Sequence, residues 1–367
     1  MRIKGVSLLL CIAMFAGLSA MTKNDDVFKP KVIKKAMLDA AKWQLTHPQY
    51  DLWDWTNGAF YAGISAAYKT TKNKVYLDAM ISMGEKNEWK PGPRTMHADD
   101  HAIAQTYIDV YRIKKDPKML EPFQKMMDNF LVQPHKVTGV EVITWWWCDA
   151  LFMGPTALAK LSTATKNPKY MEKCDVLFRE CYDLLFDKNE HLFARDLYYV
   201  IKDNPTDRRE KNGQKIFWSR GNGWVIGGLA LMITELPKEH KTRSFYIDLF
   251  KEMSKRVASL QQEDGLWRAS LLDPASFPGG ESSGSGFYTY ALAWGINNGI
   301  LDKNEFLPVV KKAWIGLNGL IQPEGYMGWC QPIGADPRKN FKAESSQVYG
   351  TGAFLLAGSE VLKLKIK

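Results

Sequence analysis

The chain has 367 residues, of which 46% are hydrophobic, 12% aromatic and 24% charged, with a formal charge of +9. That apolar and aromatic content excludes a disordered chain. The lysines are spread over predicted helix surfaces, without the basic block or zinc-ligand spacing of a nucleic-acid binder, so the charge fits either an ordinary basic protein or one that attracts acidic sugars.

Residues 1–20 read as a secretory signal peptide: Arg2 and Lys4 lead, an apolar run covers 6–17, and Ser19 and Ala20 close it. Cys11 follows three leucines rather than a small residue, which argues against a lipoprotein anchor. The run is too short for a comfortable membrane span and no later one is longer. Residues 21–367 are expected to form one exported catalytic domain, periplasmic or secreted and free of the membrane after cleavage. No linker, low-complexity tract or shift of composition divides them.

From there the chain alternates two kinds of predicted helix. Segments 30–46, 73–89, 117–131, 168–186, 243–262 and 304–321 are amphipathic. In the fourth, Met171, Cys174, Leu177, Phe178 and Cys181 recur at helical spacing with charges between them. Several begin Pro-Lys, which places proline in the first turn. Segments 58–68, 101–113, 149–162, 224–236, 287–300 and 349–362 differ: most of them read like WVIGGLALMIT, with no charge at all. A helix apolar all round is buried all round. Six buried helices ringed by six one-sided ones predict an all-α fold, an (α/α)6 barrel. The spacing of the inner segments is too wide and irregular for a tight solenoid repeat. Cys174 and Cys181 lie about 10 Å apart along one helix, beyond disulfide reach, and no metal-ligand spacing appears.

Six polar clusters precede the six inner helices: WDW (53–55), HADDH (97–101), WWWCD (145–149), WSRGNGW (218–224), ESSGSG (281–286) and QVYGTG (347–352). In a barrel they share one mouth. Each alone has a plain explanation. Asp149, Asp99 or Asp100 suits an N-cap, glycines turn chains, and Arg220 suits a structural ion pair. Six together suggest a site. Asp149, after three tryptophans, is the best acid, because desolvation favours a protonated carboxyl. Asp99 or Asp100 supplies a second carboxylate. Arg220 is placed to meet a substrate carboxylate bidentately, with Gly221 and Gly223 letting backbone approach the ligand. Trp55, Trp146, Trp147, Trp218, Asn222, Trp224 and Ser283 complete the expected binding surface.

At these clusters the chain resembles glycoside hydrolase family 105, the unsaturated rhamnogalacturonyl hydrolases. It is more distantly similar to family 88, the unsaturated glucuronyl hydrolases. WWWCDALFMGP (145–155), WSRGNGWVIGGL (218–229), ESSGSGFYTYALAWGI (281–296) and YGTGAFLLAGSE (349–360) carry the match. The resemblance implies the (α/α)6 barrel and a reaction: hydration of the C4=C5 bond of a terminal unsaturated uronic acid on an acidic oligosaccharide. It places the proton donor on Asp149 and its partner on Asp99, in preference to Asp100, with no metal, organic cofactor or obligatory protein partner. The chain departs from the rhamnogalacturonyl pattern at HLFARDLYY (191–199). Arg195 and Asp196 stand where a histidine is expected, and His191 reads as a surface residue. Arg195 therefore joins the binding set, and the departure speaks against a rhamnose-linked substrate and leaves room for unsaturated glucuronides from another polysaccharide. An inverting glycosidase using Asp149 as acid and Asp99 as base is the competing enzyme, and a non-catalytic sugar-binding toroid the competing class.

Overall fold

A computed structural model describes residues 26–366; the signal-peptide reading of residues 1–20 lies outside them. Among the described residues, twelve α-helices alternate as outer and inner elements. The outer ones are α1 (Pro30–Thr46), α3 (Lys74–Lys86), α5 (Glu121–Val132), α7 (Lys169–Leu185), α9 (Arg243–Ser259) and α11 (Lys303–Asn318). The inner ones are α2 (Trp55–Thr71), α4 (Ala104–Lys114), α6 (Ala150–Thr165), α8 (Ser219–Glu235), α10 (Ser282–Asn297) and α12 (Val348–Val361). A hairpin of β1 (Phe186–Asp187) paired antiparallel with β2 (Leu192–Phe193) joins α7 to the loop before α8.

The inner helices form a closed ring, each packed on the next, with the last against the first. That closure decides for the toroid over an open solenoid. It depends on missing side chains: a Cβ on Gly63 would meet the carbonyl of Gly352 at 2.4 Å, and one on Gly352 would meet that of Ala59 at 2.5 Å. The same close approach brings α8 onto α6, where Gly228 faces the Leu151 carbonyl. Among the described residues no helix is long and apolar enough to cross a membrane.

Two boundaries differ from the sequence expectation. The stretch 117–131 splits into a 3-10 turn (Pro117–Met119) and α5. The inner helices α8 and α10 begin at Ser219 and Ser282, so RGNGW and GSG lie within helical turns, not in loops. Glycine favours a loop reading on propensity; tertiary contact overrides it here, since a Cβ on Gly223 would press on Gly284 of the neighbouring helix at 3.3 Å.

At the end of the ring opposite the inner helices' N-termini, a buried ionic cluster ties three inner helices together. Asp109 on α4 accepts from Ser65 (2.6 Å) and Lys69 (2.9 Å) of α2 and from Lys160 (2.6 Å) of α6. The four remaining cysteines, Cys148, Cys174, Cys181 and Cys330, are buried and unpaired.

Candidate active site

Asp149 sits at the N-cap position of α6, yet its side chain caps nothing. Its backbone is already helical (φ −61°, ψ −27°), whereas a capping residue is normally extended. Asp54 shows the contrast: extended, it accepts from the Thr56 N–H at 2.9 Å and caps α2. The plain explanation thus holds for Asp54 and fails for Asp149. The three preceding tryptophans set its position. Trp145 is fully buried, its ring lying where a Cβ on Gly154 would fall, while Trp147 is buried and Trp146 half-exposed.

The structure separates Asp99 from Asp100. Asp100 is buried and clamped by Arg94, through the Arg94 backbone N–H (2.6 Å), Nε and Nη2 (2.6 Å). It holds the 92–100 loop, its carbonyl accepting from the Gly92 N–H at 3.0 Å, and its carboxylate is engaged by Arg94. Asp99 is only partly covered, with the His97 ring Nδ1 3.6 Å from its carboxylate. That ring packs on Trp147 at 4.6 Å. His97, part of the HADDH cluster but not among the expected site residues, therefore joins Asp99 to the tryptophan wall.

Arg195 lies nearer the chemistry than the sequence suggested. Its Nε is 3.9 Å from Asp149 Oδ2, its Nη1 donates to Asp196 at 2.6 Å, and its guanidinium lies 5.3 Å over Trp146. Its carbonyl accepts from the Cys148 N–H at 2.9 Å, which ties the segment to the residue before Asp149. The β1–β2 hairpin that delivers Arg195 is held by Asn222, whose side-chain amide bonds both the N–H (2.8 Å) and the carbonyl (3.0 Å) of Phe193. His191 is at the surface, paired with Glu252 at 2.5 Å.

Burial sets the electrostatics. Loss of water, then the charge of Asp149, pushes Asp99 up to about 8, against the pull of Arg94. Burial also raises Asp149, while Arg195 and Arg220 act to lower it. His97 is driven down to about 4 by burial and by Arg94, so it is neutral at neutral pH. Two carboxyl groups that disfavour each other's charge titrate as a pair, and this pair retains a proton at neutral pH. Among the described residues no three His, Cys, Asp or Glu side chains gather as a metal site.

Several expected binding residues are instead the support beneath this pair. Arg220 is 1% exposed, donates to the carbonyls of Gln331 (2.6 Å) and Pro332 (2.9 Å), and is sandwiched between Trp218 and Tyr349. Both of those nitrogens are thus engaged by backbone carbonyls, where the sequence expectation had them facing a substrate carboxylate. Trp218 donates to the Gln331 side chain at 2.7 Å, and Ser283 bonds Glu281, the N-cap of α10. Trp224 is enclosed by Trp55, Phe152, Phe287 and Tyr349. Trp55 remains half-exposed, stacked on Tyr349 at 5.4 Å. Gln331 is the hub of the support: its N–H meets Glu281, and its carbonyl also accepts from the Tyr349 hydroxyl at 2.7 Å. It lies in WCQP (329–332), where nothing in residue type or spacing marks it.

The "Unsaturated 3S-rhamnoglycuronyl hydrolase" of Formosa agariphila is 45% identical to this chain, over 98% of each sequence. The solved structure of a glycosyl hydrolase family 88 protein from Bacteroides vulgatus superposes with a TM-score of 0.83 at 30% identity, covering 91% of this chain and 99% of its own. A family 105 glycoside hydrolase from C. acetobutylicum shares the fold, with a TM-score of 0.72 at 24% identity over 90% of this chain and 99% of its own. The sequence model described as Glycosyl Hydrolase Family 88 matches residues 30–365, and the chain belongs to that family.

Proposed function

We propose that this glycoside hydrolase removes a Δ4,5-unsaturated uronic acid from the non-reducing end of a lyase-generated oligosaccharide by hydrating its C4=C5 bond. The observation that carries this reading is the buried, uncapped Asp149 carboxyl beside Arg195, sharing a proton-retaining site with Asp99. A general acid must hold its proton until the substrate takes it, and this environment favours that form.

Asp149 gives its proton to C4, and the electrons of the double bond form the new C4–H bond. Water adds at C5, and its second proton returns to the carboxylate pair. Arg195, 3.9 Å away, offsets the charge that Asp149 acquires in between. The C5 hemiketal opens to a ketone, leaving a hemiacetal at C1 that collapses to an aldehyde and expels the second sugar as an alcohol. The sum is substrate plus water giving a keto-deoxyuronate and a shortened saccharide. No group attacks the anomeric carbon, so the carboxylate-separation rule of ordinary glycosidases does not apply.

The relative's name supports a uronyl unit joined to rhamnose, against the reading of the Arg195–Asp196 departure as a sign that the substrate is not rhamnose-linked. Export is part of the same proposal, supported by residues 1–20; an intact amino terminus on protein isolated from its host would remove it. The central test is purified protein on lyase digests of uronate-containing polysaccharides. Loss of the ultraviolet absorbance of the double bond, with release of a shortened saccharide, is expected. Release of a saturated sugar from an intact glycoside would select the inverting glycosidase instead.

A further inference from the structure

The two oxygens of the Asp149 carboxyl are unlike. Oδ2 accepts from the Cys148 thiol, whose Sγ is 3.5 Å away, and faces Arg195 Nε at 3.9 Å. Among the described residues no other residue donates to Oδ1. Donors aimed at one oxygen stabilise negative charge there, so the proton of the neutral acid belongs on the other.

The thiol is held in place from several sides. Cys148 is fully buried, and its backbone N–H donates to the Arg195 carbonyl at 2.9 Å. Its Sγ lies 3.2 Å from where a Cβ on Gly221 would stand, so the glycine of RGNGW leaves room for the sulfur. Burial, then the charge of Asp149, keeps the thiol well above the ordinary thiol range, and it remains protonated at neutral pH. A buried cysteine commonly serves as a small apolar side chain. An apolar residue of that size would fill this position equally well, but it would have no proton to offer Oδ2.

Building on the proposed hydration reaction, we propose that Cys148 is a positioning residue: its S–H, with Arg195 Nε, holds Oδ2 of Asp149, so that the transferable proton sits on Oδ1. In the step itself the Oδ1–H bond breaks as the π pair of C4=C5 forms the new C4–H bond. The electron pair left on Oδ1 spreads through the carboxylate onto Oδ2, where the S–H and N–H donors meet it. Such contacts strengthen as the charge develops, so the thiol acts through kcat and leaves KM alone.

The test is kinetic, on an unsaturated disaccharide from a lyase digest. A thiol is a weak donor, so Cys148→Ala is expected to lower kcat about three- to tenfold with KM unchanged. Losing a donor to the carboxylate raises the Asp149 pKa, so the alkaline limb of kcat moves to higher pH. The other groups that face this carboxyl, Arg195, Arg220, Asp99 and the Cys181 thiol, are the same in the variant, so the displacement reports the lost S–H. Cys148→Ser restores a donor, and both kcat and the limb return toward wild type. The wild-type protein gives a reading that needs no variant to fold. One infrared S–H stretch shifts as pH carries the carboxylate pair through its ionisation, because its acceptor gains charge. Wild-type kcat and limb in Cys148→Ala, a fall in kcat with the limb unmoved, a serine variant no better than alanine, or S–H stretches indifferent to that ionisation each overturn the inference and leave the hydration reading intact. Double-bond absorbance unchanged by the wild-type enzyme overturns that reading and this inference with it.

Discussion

Arg195 Nε stands 3.9 Å from Asp149 Oδ2, with no hydrogen-bond partner of its own, while Nη1 of the same guanidinium is committed to Asp196 at 2.6 Å. Asp196 fixes the arginine, and the arginine lowers the energy of the Asp149 carboxylate. The pair of residues that marks the departure from the rhamnogalacturonyl pattern thus acts on the carboxyl proposed as the acid. Arg195→Gln is expected to lower kcat by about tenfold or more, since one opposite charge at such distances is worth a kcal/mol or more outside bulk water. It also raises the Asp149 pKa, so the alkaline limb of the rate profile moves to higher pH. A change confined to substrate ranking, with kcat and the limb unmoved, would return Arg195 to a selectivity role.

The wild-type profile follows from the same charges. Asp99, raised to about 8 by burial and by Asp149, keeps a proton in the pair through neutral pH. On the proposed hydration reaction the acid form is the active one, so kcat is expected to fall as pH rises through about 8. A rate that climbs across that range would point to a base-limited reaction.

Arg220→Ala is a stability variant before it is a kinetic one. The substitution removes the side-chain donor to the part-buried Pro332 carbonyl and one of the two donors to the buried Gln331 carbonyl, which keeps the Tyr349 hydroxyl. An unsatisfied buried group costs about 1–3 kcal/mol, so a loss of about 1–3 kcal/mol is expected in denaturant unfolding. An unchanged unfolding midpoint with a raised KM would instead restore the substrate-facing role expected from the sequence.

The barrel itself was legible in the sequence, because a helix with little or no charge on any side has nowhere to go but inside, and six predominantly apolar helices alternate with six one-sided ones. Asp149 stood out for a similar reason, its carboxyl following Trp145, Trp146 and Trp147. The glycine-rich clusters misled because two functions use the same residues. RGNGW and ESSGSG look like ligand-facing loops, yet Gly223 meets Gly284 where two helices touch. Asp99 and Asp100 are adjacent and alike, and only the fold shows that Arg94 claims one of them. Gln331 had no signal at all, since a hub of hydrogen bonds from three distant segments has no local pattern.

Asp109→Asn tests the ionic cluster at the far end. Lys160, 5% exposed at its side chain, would keep a charge without its carboxylate. Removing one partner of a buried pair costs about 3–5 kcal/mol, and a comparable drop in unfolding free energy is expected. Burial already depresses Lys160 to about 8 despite Asp109, and the variant lowers it further. The unfolded chain then binds more protons than the folded one, so stability recovers as pH rises toward the ordinary lysine range. A variant as stable as the wild type at neutral pH would show that the cluster is hydrated.

Asp149→Asn separates catalysis from architecture. Asparagine keeps the volume and is as good an N-cap as aspartate, but it has no acid proton to deliver. Because the Asp149 side chain bonds no backbone N–H of α6, the helix loses nothing, and unfolding is expected within about 0.5 kcal/mol of wild type. Loss of a general acid typically lowers the rate about 100- to 10,000-fold, so kcat should fall by that order while the disaccharide still binds. Removing the Asp149 charge also relieves Asp99, whose raised pKa owes part of its shift to that neighbour. The Asp99 carboxyl resonance should therefore titrate at lower pH in the variant. Near-wild-type turnover by the folded variant would move the proton to Asp99. An unmoved Asp99 titration would show that the two carboxyl groups do not share a site.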